Sequence, residues 1–157
     1  MEKLLLDLAG NWSGYTRTWF EPGLLGDESK IRASFRTALD DNFLIYKYRS
    51  NLSGKPYEGM MVIGYNTIKE QFESSWIDSF HMSSAIMFST GSSMENGFSV
   101  LGSYPDPNGG PDWSWRTEFN IVEEGRLIIS MINISLQGQE SLAVESRLRK
   151  RKRRPGA

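Results

Sequence analysis

The sequence predicts an all-β fold: a closed up-and-down antiparallel β-barrel of about ten strands, with a short N-terminal helix in front of it. Three observations carry this expectation. From Asn11 onward, short runs rich in β-branched and aromatic residues follow one another, several alternating apolar with polar side chains as a half-buried strand requires. Turn-forming residues punctuate the runs at short spacing, with no long helical period between them. Aromatic residues reach 12% of the chain, five of them Trp, and such side chains suit a pleated surface. A meander of this many hairpins hides its edges best by closing on itself.

The elements follow in order. In Met1–Ala9, Leu4, Leu5 and Leu8 lie on one side of a short helix that Gly10 stops. The apolar run is too short for a signal peptide, and Asp7 interrupts it. Strands are expected near Trp12–Glu21, Lys30–Ala38, Asn42–Ser50, Tyr57–Asn66, Gln71–Ser79 and Ser83–Gly91, then near Gly97–Tyr104, Trp113–Val122, Arg126–Ser135 and Gln139–Arg149. Asn96-Gly97 suits the two positive-φ positions of a type I′ hairpin, and Gly125 and Gly138 suit tight connections. Pro105–Pro111 (PDPNGGP) holds neither helix nor strand. Residues 1–149 thus form a single domain, and residues 150–157 a disordered basic tail.

Composition removes several function classes. Without cysteine there is no disulfide scaffold, thiolate metal site or Cys nucleophile, and a reducing cytoplasm is a compatible location. Seven of the 18 Lys and Arg residues lie between Arg147 and Arg154, behind all 19 acidic residues. The body is therefore acidic and repels phosphate backbones, which speaks against nucleic acid. The basic run resembles an import or nucleic-acid patch but is accounted for by a solubilising tail. No stretch approaches the ~20 apolar residues of a membrane span. There is no P-loop, no G-x-S-x-G and no G-x-G-x-x-G after a strand.

Gly10-Asn11-Trp12 looks like the G-x-W opening of lipocalin-type (calycin) barrels. That resemblance implies that Trp12 seals the barrel floor under a basic residue of the last strand, Arg147 or Arg149, in a cation–π contact. A longer series, Trp12-Ser13-Gly14, Arg17-Thr18-Trp19-Phe20-Glu21-Pro22-Gly23, Glu58-Gly59, Gly64-Tyr65-Asn66 and Trp76-Ile77-Asp78-Ser79-Phe80-His81, resembles the bacterial family of unknown function numbered fifteen seventy-nine. The resemblance spans Leu4 to Arg149, implies a calycin-like barrel and brings no agreed activity. Nitrobindin-type barrels bind haem through a His near the chain end; Ser141–Arg149 has none, so no cofactor is expected.

The candidate ligand-binding residues are Glu58, Tyr65, Trp76, Asp78, His81, Trp115 and Arg116. His81 is the only histidine; turned inward it is a base, a ligand contact or an anchor, while a strand-end His bonded to backbone is the commoner use. One His without Cys makes zinc improbable, and no metal site is assigned. Asp78 shares strand parity with Trp76 and Phe80, so an inward carboxylate needs a partner, with Arg36, Arg116 and Arg17 as candidates. In Trp113-Ser114-Trp115-Arg116 either face can line the interior: Arg116 inward is a handle for an anionic group, outward an ion-pair partner. Gly59 and Gly64 in the strand after Glu58 indicate a bend or a close approach.

These residues point first to a barrel binding a small apolar or amphipathic ligand through one polar anchor. One alternative is an enzyme using the same cavity with His81 or Asp78 as general base. Another is a filled barrel acting through its surface or as a homodimer. No catalytic residue is assigned.

Overall fold

Leu5 and Leu8 are fully buried on one side of helix α1 (Lys3–Leu8), as the leucine spacing requires. The computed structural model describes residues 2–152. Ten strands follow the helix: β1 (Gly10–Glu21), β2 (Leu24–Ala38), β3 (Phe43–Leu52), β4 (Lys55–Asn66), β5 (Gln71–Asp78), β6 (Met87–Met94), β7 (Gly97–Tyr104), β8 (Trp113–Glu123), β9 (Arg126–Ile134) and β10 (Glu140–Lys150). Each pairs antiparallel with the next, and β1 pairs with β10 from Trp12↔Lys150 to Thr18↔Val144, closing the barrel. No helix among the described residues is long and apolar enough to cross a membrane.

The up-and-down order gives the barrel two unlike ends. The helix end carries α1 and the short turns at 39–42, 67–70, 95–96 and 124–125; the loop end carries the longer connections at 79–86 and 105–112. Alternation along the strands decides what lies between them. Trp115, Thr117 and Phe119 are buried and face inward, which leaves Arg116 and Glu118 outside. Toward the helix end the interior is filled by rings: Phe35 stacks on Tyr46 at 4.5 Å, and Phe98 stacks on Phe72 at 4.4 Å and on Phe119 at 4.6 Å. Burying each such side chain contributes on the order of 1.5–3 kcal/mol. Toward the loop end small buried hydroxyl side chains, Thr16, Thr18, Ser50, Ser89, Thr117 and Ser146, join large ones such as Tyr48, Tyr57, Trp76 and Trp115.

The floor is built around Trp12. Its ring is buried, its Nε1 donates to Leu8 O at 2.8 Å, and it packs edge-on to Phe35 at 6.3 Å. The cation over the indole is Lys150, 5.6 Å from the ring centre, not Arg147. Strand parity explains the difference: Arg147 lies opposite Tyr15 on the outer face and pairs with Glu145 at 2.8 Å, while Lys150 lies opposite Trp12 itself. Lys150 Nζ also donates to Asp7 O at 3.1 Å, tying the end of β10 to the helix.

Four other expectations change. Asn96-Gly97 is not a type I′ turn, because neither residue has positive φ; Glu95 and Asn96 make the turn and Gly97 opens β7. Gly97 is needed for another reason, since a Cβ there would overlap the Phe119 carbonyl of the adjacent strand. Strand β2 starts at Leu24, six residues before the expected start, and Gly26 lets the Phe20 ring of β1 lie across it. β6 starts at Met87 because residues 79–86 leave the sheet in a loop that Asp78 organises. Lys150, expected to begin the tail, ends β10, and Arg151 N donates to Asn11 O at 2.7 Å. The rest of the expected tail, 153–157, lies outside the described residues.

Replacing the floor tests this account. Trp12→Ala should cost about 3–5 kcal/mol in equilibrium urea unfolding, whereas Lys150→Gln should cost no more than about 1 kcal/mol. Equal losses from the two variants would mean that the cation, and not ring burial, holds the floor.

Candidate functional site

The densest set of buried polar groups lies at the loop end and starts from Asp78, the last residue of β5, whose side chain is completely buried. Register sets its neighbours: Tyr48 of β3 is opposite Gly59 of β4, and Gly59 is opposite Asp78. All three positions face inward. Because Gly59 has no side chain, the Tyr48 phenol crosses over it and its hydroxyl donates to Asp78 Oδ2. A Cβ at Gly59 would overlap the Tyr48 hydroxyl and ring. Trp76 Nε1 in turn donates to the Tyr48 oxygen at 2.9 Å.

The second carboxylate oxygen shapes the loop. Asp78 Oδ1 accepts from the backbone amides of Phe80 at 2.7 Å and His81 at 2.6 Å, an Asx-type turn that takes the chain out of β5. The turn brings the His81 ring back over the barrel, with Nδ1 3.2 Å from the same oxygen. Burial pushes the Asp78 carboxyl up. The adjacent His81 side chain, the Tyr48 hydroxyl and the His81 amide together outweigh it and hold the carboxyl below its ordinary value. Tyr48 moves the other way: burial first, then the facing carboxylate, pushes its phenol well above the ordinary value and keeps it a donor.

The imidazole is held by aromatic rings. Phe80 lies 4.8 Å away, Trp76 5.8 Å, Tyr57 5.9 Å and Trp115 6.2 Å, and only 14% of the His81 side chain is exposed. Burial also raises the Tyr57 phenol, an effect that the nearby Ser50 and Thr16 hydroxyls partly offset. Thr16 accepts a 2.9 Å hydrogen bond from Ser146. Among the described residues five buried side-chain atoms make no hydrogen bond: both ring nitrogens of His81, Trp115 Nε1, Thr18 Oγ1 and Ser74 Oγ, with His81 Nδ1 close to Asp78 but outside hydrogen-bond geometry.

The structure thus brings together Trp76, Asp78, His81 and Trp115 and leaves out the other three sequence candidates. Glu58 is exposed on the outer face, 3.4 Å from Arg49 opposite it. Arg116 is also outside, paired with Glu118 at 3.2 Å and with Glu140. Tyr65 sits near the helix end, its ring 5.0 Å from Phe72. Among the described residues no arginine serves Asp78: Arg17 pairs with Glu28 at 2.6 Å, and Arg36 donates to Asn11 Oδ1 at 2.6 Å. Sequence reasoning missed Tyr48, Tyr57 and Thr18. A signal for Tyr48 was present, because Tyr46-Lys47-Tyr48-Arg49 alternates ring with cation and so turns both rings inward. Among the described residues no group of three or more His, Cys, Asp or Glu is placed to hold a metal ion.

An acid titration checks the Asp78 network. Its folded pKa is depressed, so its contribution to stability is complete above the ordinary carboxyl range and is lost as pH falls through the folded value. Asp78→Asn should cost about 2–4 kcal/mol at pH 7 and flatten the unfolding free energy between pH 4 and 2, by roughly the amount the carboxylate supplied. An unchanged acid slope in that variant would exclude Asp78 as its source.

Comparison with known proteins agrees with this architecture. Among solved structures the chain is similar to Rv2717c from M. tuberculosis, at 14% identity and a TM-score of 0.66 over 96% of both chains, a likeness of fold. It also aligns with a protein of unknown function from the DUF3598 family of Nostoc punctiforme PCC 73102, at 8% identity and a TM-score of 0.29, over 96% of this chain and 100% of that one. No curated protein matches. The family described as "Protein of unknown function (DUF1579)" matches residues 1–150, and the chain belongs to it.

Proposed function

We propose that the protein binds a small apolar or amphipathic molecule in the loop-end half of its barrel, with the polar part of the ligand on His81, Trp115 and Thr18. One observation carries this reading: these three side chains present buried polar atoms without protein partners at the same end of the interior. A buried unmatched donor or acceptor costs about 1–3 kcal/mol, so a set of them in one place suits a partner from outside the chain. The surroundings support it. A ten-stranded barrel is wider than the eight-stranded kind that side chains fill, and the inward positions here include Ser74, Ser89, Gly91, Gly102 and Thr117.

A second reading has one observation in its favour. With Asp78 3.2 Å from Nδ1 and Nε2 without a partner, His81 has the arrangement of a general base. We place binding first because the groups around the ring are aromatic and no nucleophile is bonded to Nε2. The cysteine-free chain suits a reducing compartment, and we place the protein in the cytoplasm.

Isosteric replacement separates binding from stability. Thr18→Val and Trp115→Phe remove an unmatched polar atom each, so each should leave unfolding free energy within about 1 kcal/mol of the parent or raise it. Native mass spectrometry of the purified protein should show an excess mass that both variants lose. A destabilised Thr18→Val variant that keeps the excess mass would turn the reading towards a structural role for these groups.

A further inference from the structure

Donor and acceptor chemistry at the loop end narrows the ligand class, an inference that rests on the binding role proposed above. The Asp78 carboxylate meets Tyr48 on one oxygen and two backbone amides on the other, all donors, so it is held as an acceptor. His81 Nδ1 lies 3.2 Å from that acceptor, outside hydrogen-bond geometry, and a lone pair there would face the carboxylate; the neutral ring therefore carries its proton on Nδ1 and leaves a lone pair at Nε2. Trp115 Nε1 has the opposite character, since an indole N–H only donates. Both atoms are buried and without protein partners, and their rings lie 6.2 Å apart. The 6.2 Å separates the ring centres, so the two rings adjoin and one ligand group can border both.

An oxygen that accepts from Trp115 and donates to His81 is a hydroxyl. An ether or ketone satisfies only the indole, and a carboxylate sets its charge against the Nε2 lone pair. The walls supply the rest of the recognition: Trp76 stacks on Trp115 at 5.8 Å, and Tyr57 and Phe80 flank the imidazole. Flat faces of this kind suit a ring. We propose that the loop end of the barrel recognises a neutral hydroxylated aromatic molecule, a phenol in chemical class, through an O–H held between Trp115 Nε1–H and His81 Nε2.

Three probes of matched shape test this: p-cresol, 4-methylanisole and 4-methylbenzoate, titrated at pH 8 into ¹⁵N-labelled full-length protein. The readouts are the Trp115 indole N–H signal, assigned by its loss in Trp115→Phe, and the dissociation constant. p-Cresol should move that signal and bind at least about tenfold tighter than 4-methylanisole, the worth of one buried hydrogen bond. In His81→Phe, which keeps the aromatic packing, the advantage should vanish while the anisole affinity stays the same. If the ether or the carboxylate binds as tightly as p-cresol, the hydroxyl assignment is overturned and the binding role stands. If none of the three moves the Trp76 or Trp115 indole signals, the aromatic ligand class is overturned, and the binding role falls with it only when the purified protein also shows no excess mass.

Discussion

Burying the Asp78 carboxylate constrains the whole loop end. A charged group out of water is tolerated only when its lone pairs are met, and here each oxygen draws its partners from a different part of the chain. Oδ2 reaches across two strands to Tyr48; Oδ1 reaches forward to the amides of Phe80 and His81. The first bond needs Gly59 to be bare, so that a phenol lies over the backbone between β3 and β5. The second turns the chain inward after β5 and sets His81 among the rings. One carboxylate thus determines a tyrosine, a glycine and the path of a loop, and the candidate site is assembled from what it holds.

The opposite end works by filling. α1 lays Leu5 and Leu8 under the barrel, Trp12 bonds to the last carbonyl of that helix, and Phe35, Phe72, Phe98 and Phe119 occupy the space above. The two halves are built differently for that reason. Stacked phenyl rings give density at this end, whereas the other half mixes aromatic side chains with hydroxyls, of which Ser50 bonds to Lys30 O and Ser146 to Thr16. The floor also joins the two ends of the chain, since Lys150 reaches both Trp12 and Asp7.

The outer face accounts for the arginines. Arg17, Arg49, Arg116, Arg126 and Arg147 pair there with glutamates on the same or neighbouring strands, at positions set by register. Such exposed pairs contribute little individually. Their effect on the interior is indirect: with the cations outside, Asp78 is matched by neutral donors and one imidazole, so the interior carries no excess positive charge to attract an anion.

The sequence alone determined the kind of fold, because strand periodicity, turn residues and a leucine-faced helix are local properties that each segment carries by itself. It also marked Trp76, Asp78, His81 and Trp115, since a carboxylate and an imidazole among indoles stand out in any arrangement. Only the tertiary structure decided which face of each strand points inward, as a shift of one residue would exchange Trp115 for Arg116 and Arg147 for Leu148. The same choice separated Glu58, Tyr65 and Arg116 from the site and made Lys150 the cation at the floor. Tyr48 became the partner of Asp78 through a pairing across 30 residues and a glycine between them. That partnership exists only when three strands lie side by side, and register is a property of the closed barrel rather than of any one strand within it.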